Sequence, residues 1–284
     1  MGRTTRQTAP VLVALVALVS LLGAGCSSGD RASAPPGTAS PTTGATSAAP
    51  TARPAPAPRV GSCHRLDLRT ATAPTDPAAA VSCSGPHTSV TVRVGRLPAD
   101  ADGHLLAVDS AAVADRLQRS CPPAAPAVVG GDVTARRLSL LRTVWFTPTV
   151  AQADAGASWF RCDVVAVLAP GRLAPLPATV RGLLGSPAAR TRFGLCGTAA
   201  PDARGFARVG CARAHAWQAV SVVDLPAGTR FLDRAAGAAA DTRCRAVASA
   251  RGRGATRFSW SFEWPQRDAW DAGQRYGWCW VPQT

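Results

Sequence analysis

The sequence predicts an α+β fold built from two tandem disulfide-stapled units, each a small antiparallel sheet with one packed helix. Three observations lead there. The stretches VSCSGPHTSVTVRVGRLPA (Val81 to Ala99) and VGCARAHAWQAVSVVDLPA (Val209 to Ala227) agree at 8 of 19 positions without a gap. Eight cysteines beyond the N-terminal region divide four and four in the same order: Cys63, Cys83, Cys121 and Cys162, then Cys196, Cys211, Cys244 and Cys279. Each half also runs strand, helix, then a pair of strands, and a repeated pattern of this kind marks a repeated supersecondary unit.

The elements follow in chain order. Val90, Val92 and Val94 alternate, as do Val220 and Val222, which is the period of a half-buried strand. Leu-Pro ends that strand in both halves. Ser110 to Ser120 reads as a helix capped by Asp109 or Ser110 and stopped by Pro122-Pro123, with Val113, Leu117 and Cys121 on one face. Its counterpart is Asp233 to Cys244, with Ala236, Ala240 and Cys244 on one face. Strands at Leu138 to Phe146 and Trp159 to Leu168 close the first unit, and strands at Ala255 to Trp264 and Arg275 to Val281 close the second. The closing blocks match as well: Pro148 and Pro265 each stand 14 residues before a cysteine, and Asp154-Ala155-Gly156 matches Asp271-Ala272-Gly273.

Four cysteines allow three pairings per unit. A helix packed on a sheet brings the third and fourth cysteines together, and neighbouring strands bring the first and second together. These placements favour Cys63–Cys83, Cys121–Cys162, Cys196–Cys211 and Cys244–Cys279. Each bond would stabilise a unit by about 2–4 kcal/mol.

The N-terminal region has the layout of a secretory signal over residues 1–25. Arg3 and Arg6 precede an apolar run from Val11 to Leu22, and Gly23-Ala24-Gly25 leads into Cys26. The run is shorter than the ~20 residues of a membrane-spanning helix. LLGAGC resembles the lipobox of bacterial lipoproteins, with Gly23 where Leu is usual, and the resemblance implies a diacylglyceryl group on Cys26. An odd total of nine cysteines fits one cysteine set apart. The segment that follows, to residue 59, is Pro, Ala, Ser and Thr with almost no large apolar side chain, so 26–59 is expected as an anchor cysteine and a disordered tether. The remaining boundaries are unit 1 at 60–170, a connector at 171–192 and unit 2 at 193–284.

All 31 basic residues are Arg, which fits GC-rich codon usage. Without Arg3 and Arg6, 29 arginines face 17 acids, a balance of about +12. That charge points to anionic lipid headgroups or anionic wall polymers rather than nucleic acid, which an exported lipoprotein rarely meets.

Val60-Gly61-Ser62-Cys63, then Val81-x-Cys83-x-x-Pro86-His87, a Val-rich strand, Leu97-Pro98, a helical Cys and a closing P…AG…C block together resemble the septum formation family of actinobacterial exported proteins. Its domain typically opens V-G-D-C and continues V-x-C-x-x-P-H. The resemblance runs over most of Val60 to Pro282, once per unit. Ser62 replaces the usual Asp. The acid often found three residues after the His is here Val90 or Gln218. Ala214 stands where unit 1 has Pro86, and the second unit opens Gly194-Leu195-Cys196. The resemblance implies a link to cell division and no particular reaction.

Cys83-x3-His87 and Cys211-x3-His215 have a spacing that could suit zinc. Export keeps such thiols oxidised, so no metal and no cofactor are expected, and His87 and His215 are expected to be structural, orienting the strand that follows. Six of the eight Trp lie in the second half. Trp260, Trp264 and Trp270 beside Arg251, Arg253 and Arg257 form a candidate ligand surface, or alternatively core. No catalytic constellation is present; Glu263 with Asp268 or Asp271 is the one carboxylate pair a glycan hydrolase could use. The expected function is therefore a non-catalytic envelope lipoprotein on the outer face of the cytoplasmic membrane, binding an envelope protein or wall polymer. An envelope glycan hydrolase and an extracytoplasmic ligand sensor are the alternatives.

Overall fold

The computed structural model describes residues 54–283 apart from 99, 102–103, 169–170 and 253–257. Residues 1–53, with the signal region and Cys26, lie outside the described residues, as do Arg253 and Arg257.

The first half runs β1 (Cys63–His64), α1 (Leu68–Ala71), β2 (Ser89–Arg96), a small ladder of β3 (Asp100–Ala101) with β4 (His104–Leu105), α2 (Ala111–Ser120), α3 (Ala124–Val129), α4 (Val133–Arg137), β5 (Leu141–Phe146), α5 (Val150–Asp154) and β6 (Trp159–Leu168). Between the halves come β7 (Arg172–Leu173), a 3₁₀ turn at Leu183–Gly185 and α6 (Pro187–Arg192). The second half runs β8 (Leu195–Gly197), β9 (Arg208–Gly210), β10 (Trp217–Asp224), α7 (Arg234–Arg251), β11 (Ser261–Glu263), α8 (Arg267–Asp271) and β12 (Tyr276–Pro282).

The two sheets have one topology. The first has the order β1-β2-β6-β5 and the second β8-β10-β12-β11, with β9 added outside β8. All these ladders are antiparallel. Register repeats too: Cys63 lies opposite Val90 as Cys196 lies opposite Gln218. Even the irregularity repeats. The β2–β6 ladder slips between Thr91 and Arg93, and the β10–β12 ladder slips at the matching place, between Ala219 and Ser221. A bulge adds twist and is a built feature of a strand.

Four disulfides staple the chain, Cys63–Cys83, Cys121–Cys162, Cys196–Cys211 and Cys244–Cys279, with Cα separations of 5.0–5.3 Å. These are the pairings favoured from the sequence. Cys162 and Cys279 sit at matching positions of the last strands, and each ties that strand to the helix packed on it.

On one face of the first sheet, Val90, Val92 and Val164 meet Val113 and Leu117 of α2 and Ala125 and Val129 of α3. Burying each such side chain contributes about 1.5–3 kcal/mol. In the second half Ala240 and Cys244 of α7 take the same place over Val223 and Cys279.

The expected single helix per unit is joined by shorter ones. α5 and α8 occupy matching positions and end on Gly156 and Gly273, each at φ +96°, where a side chain would be strained. In both, the residue after the glycine donates to a carbonyl five back: Ala157 N–H to Gln152, Gln274 N–H to Ala269. Helices of four to six residues are too short to show a 3.6-residue period. α7 also continues past Cys244 to Arg251, because no proline follows as it does after Cys121. β5 begins at Leu141 rather than Leu138, because residues 138–140 bond instead to the start of the second half: Leu195 N–H donates to Leu138 and Leu140 N–H to Phe193. The connector 171–192 is itself packed, with Leu176, Val180 and Leu184 buried in the first core.

Candidate functional site

The repeated strands carry six matching positions on the sheet faces away from α2 and α7, and the two halves fill them with opposite chemistry. In the first half they are His64, Ser89, Thr91, Phe146, Arg161 and Asp163, all with 5% or less exposure. Arg161 is the hub. Its Nη2 donates to Asp76 Oδ2 (2.6 Å), its Nε stands 3.2 Å from Asp163 Oδ2, and its guanidinium lies 4.5 Å over the Phe146 ring. Ser89 and Thr91 hydroxyls donate to the two oxygens of Asp163 at 2.8 Å each. Asp76 reaches in from the loop after α1, and its Oδ1 accepts from Ala78 N–H (3.1 Å). His64 stands 3.7 Å from Asp76; burial, and then the Arg161 charge, lower its pKa below the ordinary histidine value, so the ring is neutral at pH 7.

In the second half the corresponding residues are Gly197, Trp217, Ala219, Glu263, Trp278 and Trp280. A Cβ on Gly197 would stand 2.6 Å from Phe206 and 3.2 Å from the Trp280 ring, so the volume that His64 fills is taken by aromatics. Trp280 is fully buried, and this face packs on Leu138 and Leu140 of the first half. Trp278 Nε1 donates to the Arg137 carbonyl (2.8 Å). The first sheet thus seals its second face with its own loop and a charge network, while the second sheet seals the same face by docking. Half of the Trp residues of the second half, Trp217, Trp278 and Trp280, have this cause.

Glu263 is bonded to Arg208 through Oε1, and its Oε2 accepts from Trp280 Nε1 (3.0 Å). Burial raises its pKa, against the pull of Arg208. Asp271 is exposed and paired with Arg267 four residues earlier, and Asp268 Oδ1 accepts from Ala269 N–H (2.8 Å). Neither aspartate shares a hydrogen-bond or ion-pair partner with Glu263 among the described residues.

His87 and His215 hold one turn geometry. Gly85 N–H donates to Ser82 and Arg213 N–H donates to Gly210, closing matching turns. His87 Nδ1 lies 2.8 Å from the Gly85 carbonyl, and His215 Nδ1 lies 2.7 Å from that of Arg213. His87 Nε2 also faces the Pro177 carbonyl (3.1 Å), which ties the turn to the connector. Among the described residues no three His, Cys, Asp or Glu side chains gather in a group able to hold a metal.

The aromatic candidates divide. Trp260 and Phe262 pack against α7, with Trp260 Nε1 donating to Asp241 (2.9 Å) and Arg245 over its ring. Trp264 stacks on Trp270 (5.9 Å between centroids, 21° between planes), and Arg275 covers Trp270 at 4.0 Å. Arg251 instead lines a separate cavity of about 150 Å³ with Arg190 and Gln218.

A cleft of about 630 Å³ lies where the two halves meet. Ala125, Val129, Leu141, Val164 and Leu184 form its apolar floor, and Ala269, Gln274 and Tyr276 face them from the second half. Arg136, Arg137 and Arg142 stand around it. Arg137 is occupied: it pairs with Asp224 (2.6 Å) and stacks on Tyr276 (4.1 Å). Arg136 and Arg142 have no carboxylate partner among the described residues and use Nη1 on backbone carbonyls of Gly131, Ser139 and Leu141. Sequence reasoning missed both this cleft and the Arg161 network. Asp76 belongs to neither repeat motif, and Arg142 lies within, and Arg136 just before, the stretch Leu138 to Phe146 expected as one plain strand.

No curated protein and no solved structure matches this chain. A family model described as Septum formation matches residues 61–251 once, covering the first sheet and running into the second half as far as the end of α7, rather than once per half. With the repeated stapled sheets and that single match over about two thirds of its length, the chain belongs to the septum formation family.

Proposed function

We propose that this protein is a non-catalytic, membrane-anchored binding module of the cell envelope that serves septum formation. The observation that carries the reading is the set of four disulfides in a member of this family, since such bonds form and persist in oxidising compartments outside the cytoplasm. In this reading residues 1–25 direct export, Cys26 carries the lipid, and 26–59 hold the stapled halves, two copies of one unit, away from the membrane. The excess of arginine suits an anionic partner at the surface or in the wall. The non-catalytic part is supported by Glu263, whose two oxygens are both engaged by Arg208 and Trp280.

Metabolic labelling with a fatty-acid analogue tests the anchor. Wild type should incorporate label and fractionate with membranes, and Cys26→Ala should do neither. A labelled Cys26→Ala chain would refute the anchor. Release of soluble fragments from purified wall by the wild-type chain, lost in Glu263→Gln, would refute the non-catalytic reading.

A further inference from the structure

We propose that the cleft between the halves is a binding site for an anionic amphiphile, a single apolar chain ending in a phosphate or carboxylate. Its volume of about 630 Å³ is that of a small-molecule site. The floor is aliphatic, made by α3, β5 and the buried Leu184 and Val164, and a polar ligand would leave its own groups unpaired against it. The charge is of one sign. Arg137 is neutralised by Asp224, whereas Arg136 and Arg142 face the cleft with guanidinium N–H groups that no carboxylate takes up among the described residues. A planar guanidinium matches phosphate or carboxylate in bidentate geometry. Apolar floor and cationic rim together fit a ligand with a tail and a head, and fit a neutral lipid or a bare anion less well.

The cleft is a joint product of both halves. Residues 136–142 supply its arginines and part of its floor, and the same stretch carries the backbone bonds that tie the halves together. Tyr276 is brought to the opposite side by β12. The site therefore exists only in the assembled chain.

This inference deepens the binding-module reading by giving a ligand class, and its test is independent of the anchor. The full chain carrying Cys26→Ala, purified without detergent, is loaded with cis-parinaric acid, and competitors are titrated by fluorescence. Hexadecyl phosphate and palmitate should displace the probe at concentrations about tenfold or more below hexadecanol, in keeping with the loss of charge-assisted hydrogen bonds in the alcohol. The tighter of the two identifies the preferred head group. Inorganic phosphate alone should not displace.

The double variant Arg136→Gln/Arg142→Gln should weaken hexadecyl phosphate about tenfold or more and leave hexadecanol unchanged. Ala272→Trp, an exposed substitution at the cleft wall, should abolish probe binding with an unchanged melting temperature. Arg119→Gln, exposed on α2, should bind as wild type. Equal displacement by hexadecanol, displacement by inorganic phosphate, or wild-type binding in the double variant would overturn the proposal. Binding seen only to anionic vesicles and indifferent to Ala272→Trp would overturn it in favour of surface adsorption.

Discussion

Removing the guanidinium at the centre of the first sheet tests the account of the two unlike faces. In Arg161→Met the side-chain stem is kept and the charge is lost. Asp76 and Asp163, 2% and 0% exposed at their side chains, are then left buried without their cation. Breaking a buried ion pair from one side costs about 3–5 kcal/mol, because the remaining charge has no compensation. Ser89, Thr91 and the Ala78 N–H still donate to these carboxylates, so the lower part of that range is expected. For a folded part of this size, where each kcal/mol moves the transition by about 2–4 °C, the melting temperature should fall by about 6–15 °C. Guanidinium titration of the oxidised chain supplies the free energy, with exposed Arg172→Met as a control expected within about 0.5 kcal/mol of wild type. The double variant Arg161→Met/Asp163→Asn should cost less than the sum of its parts by roughly 1 kcal/mol or more, since the second change removes a charge the first has stranded. A cost below about 1 kcal/mol for Arg161→Met, or strict additivity in the double variant, would refute the view that this network seals the face.

The His64 pKa is lowered in the folded chain, so the unfolded chain takes its proton first as pH falls below 6.5; the wild type should lose stability from there down to the folded pKa and level off, and His64→Gln should lack that contribution in a difference titration of the two chains. Replacing Cys121 and Cys162 by Ala opens a loop with a sequence separation of 41 and should cost about 4 kcal/mol in unfolding titrations, more than the roughly 3 kcal/mol for the Cys196–Cys211 pair with its separation of 15. His87→Ala should cost roughly 1–3 kcal/mol by calorimetry, and His215→Ala less, because only His87 is buried with both ring nitrogens against carbonyls.

Much of the fold was legible because its signals are local and come twice. Alternating valines, a proline-stopped helix and paired cysteines need no knowledge of what lies across the core, and they led to the strands, the main helices and the disulfide pairs. Short helices such as α5 carried no period, although the repeated Asp-Ala-Gly marked their ends. The candidate site was legible in part. The histidine offsets pointed to a framework role that the matching turns fit, while the aromatic stripe was visible as a pattern without its partner, α7. What could not be read was chemistry assembled from distant segments. Asp76 meets Arg161 across 85 positions, and Arg137 of α4 meets Tyr276 of β12 in the other half. Nothing near any of these residues in the sequence announces the other.

The unlike sealing of the two faces also sets an order of assembly. The first sheet closes over its polar face with residues that precede or belong to its own strands, so a nascent chain can complete it before the second half exists. The second sheet presents Trp217, Trp278 and Trp280 on a face that packs on Leu138 and Leu140 of the first half. Synthesis from the N-terminus delivers the template first and the part that needs it second. A circular permutant starting at residue 193 would reverse that sequence and leave a tryptophan-rich sheet waiting in water.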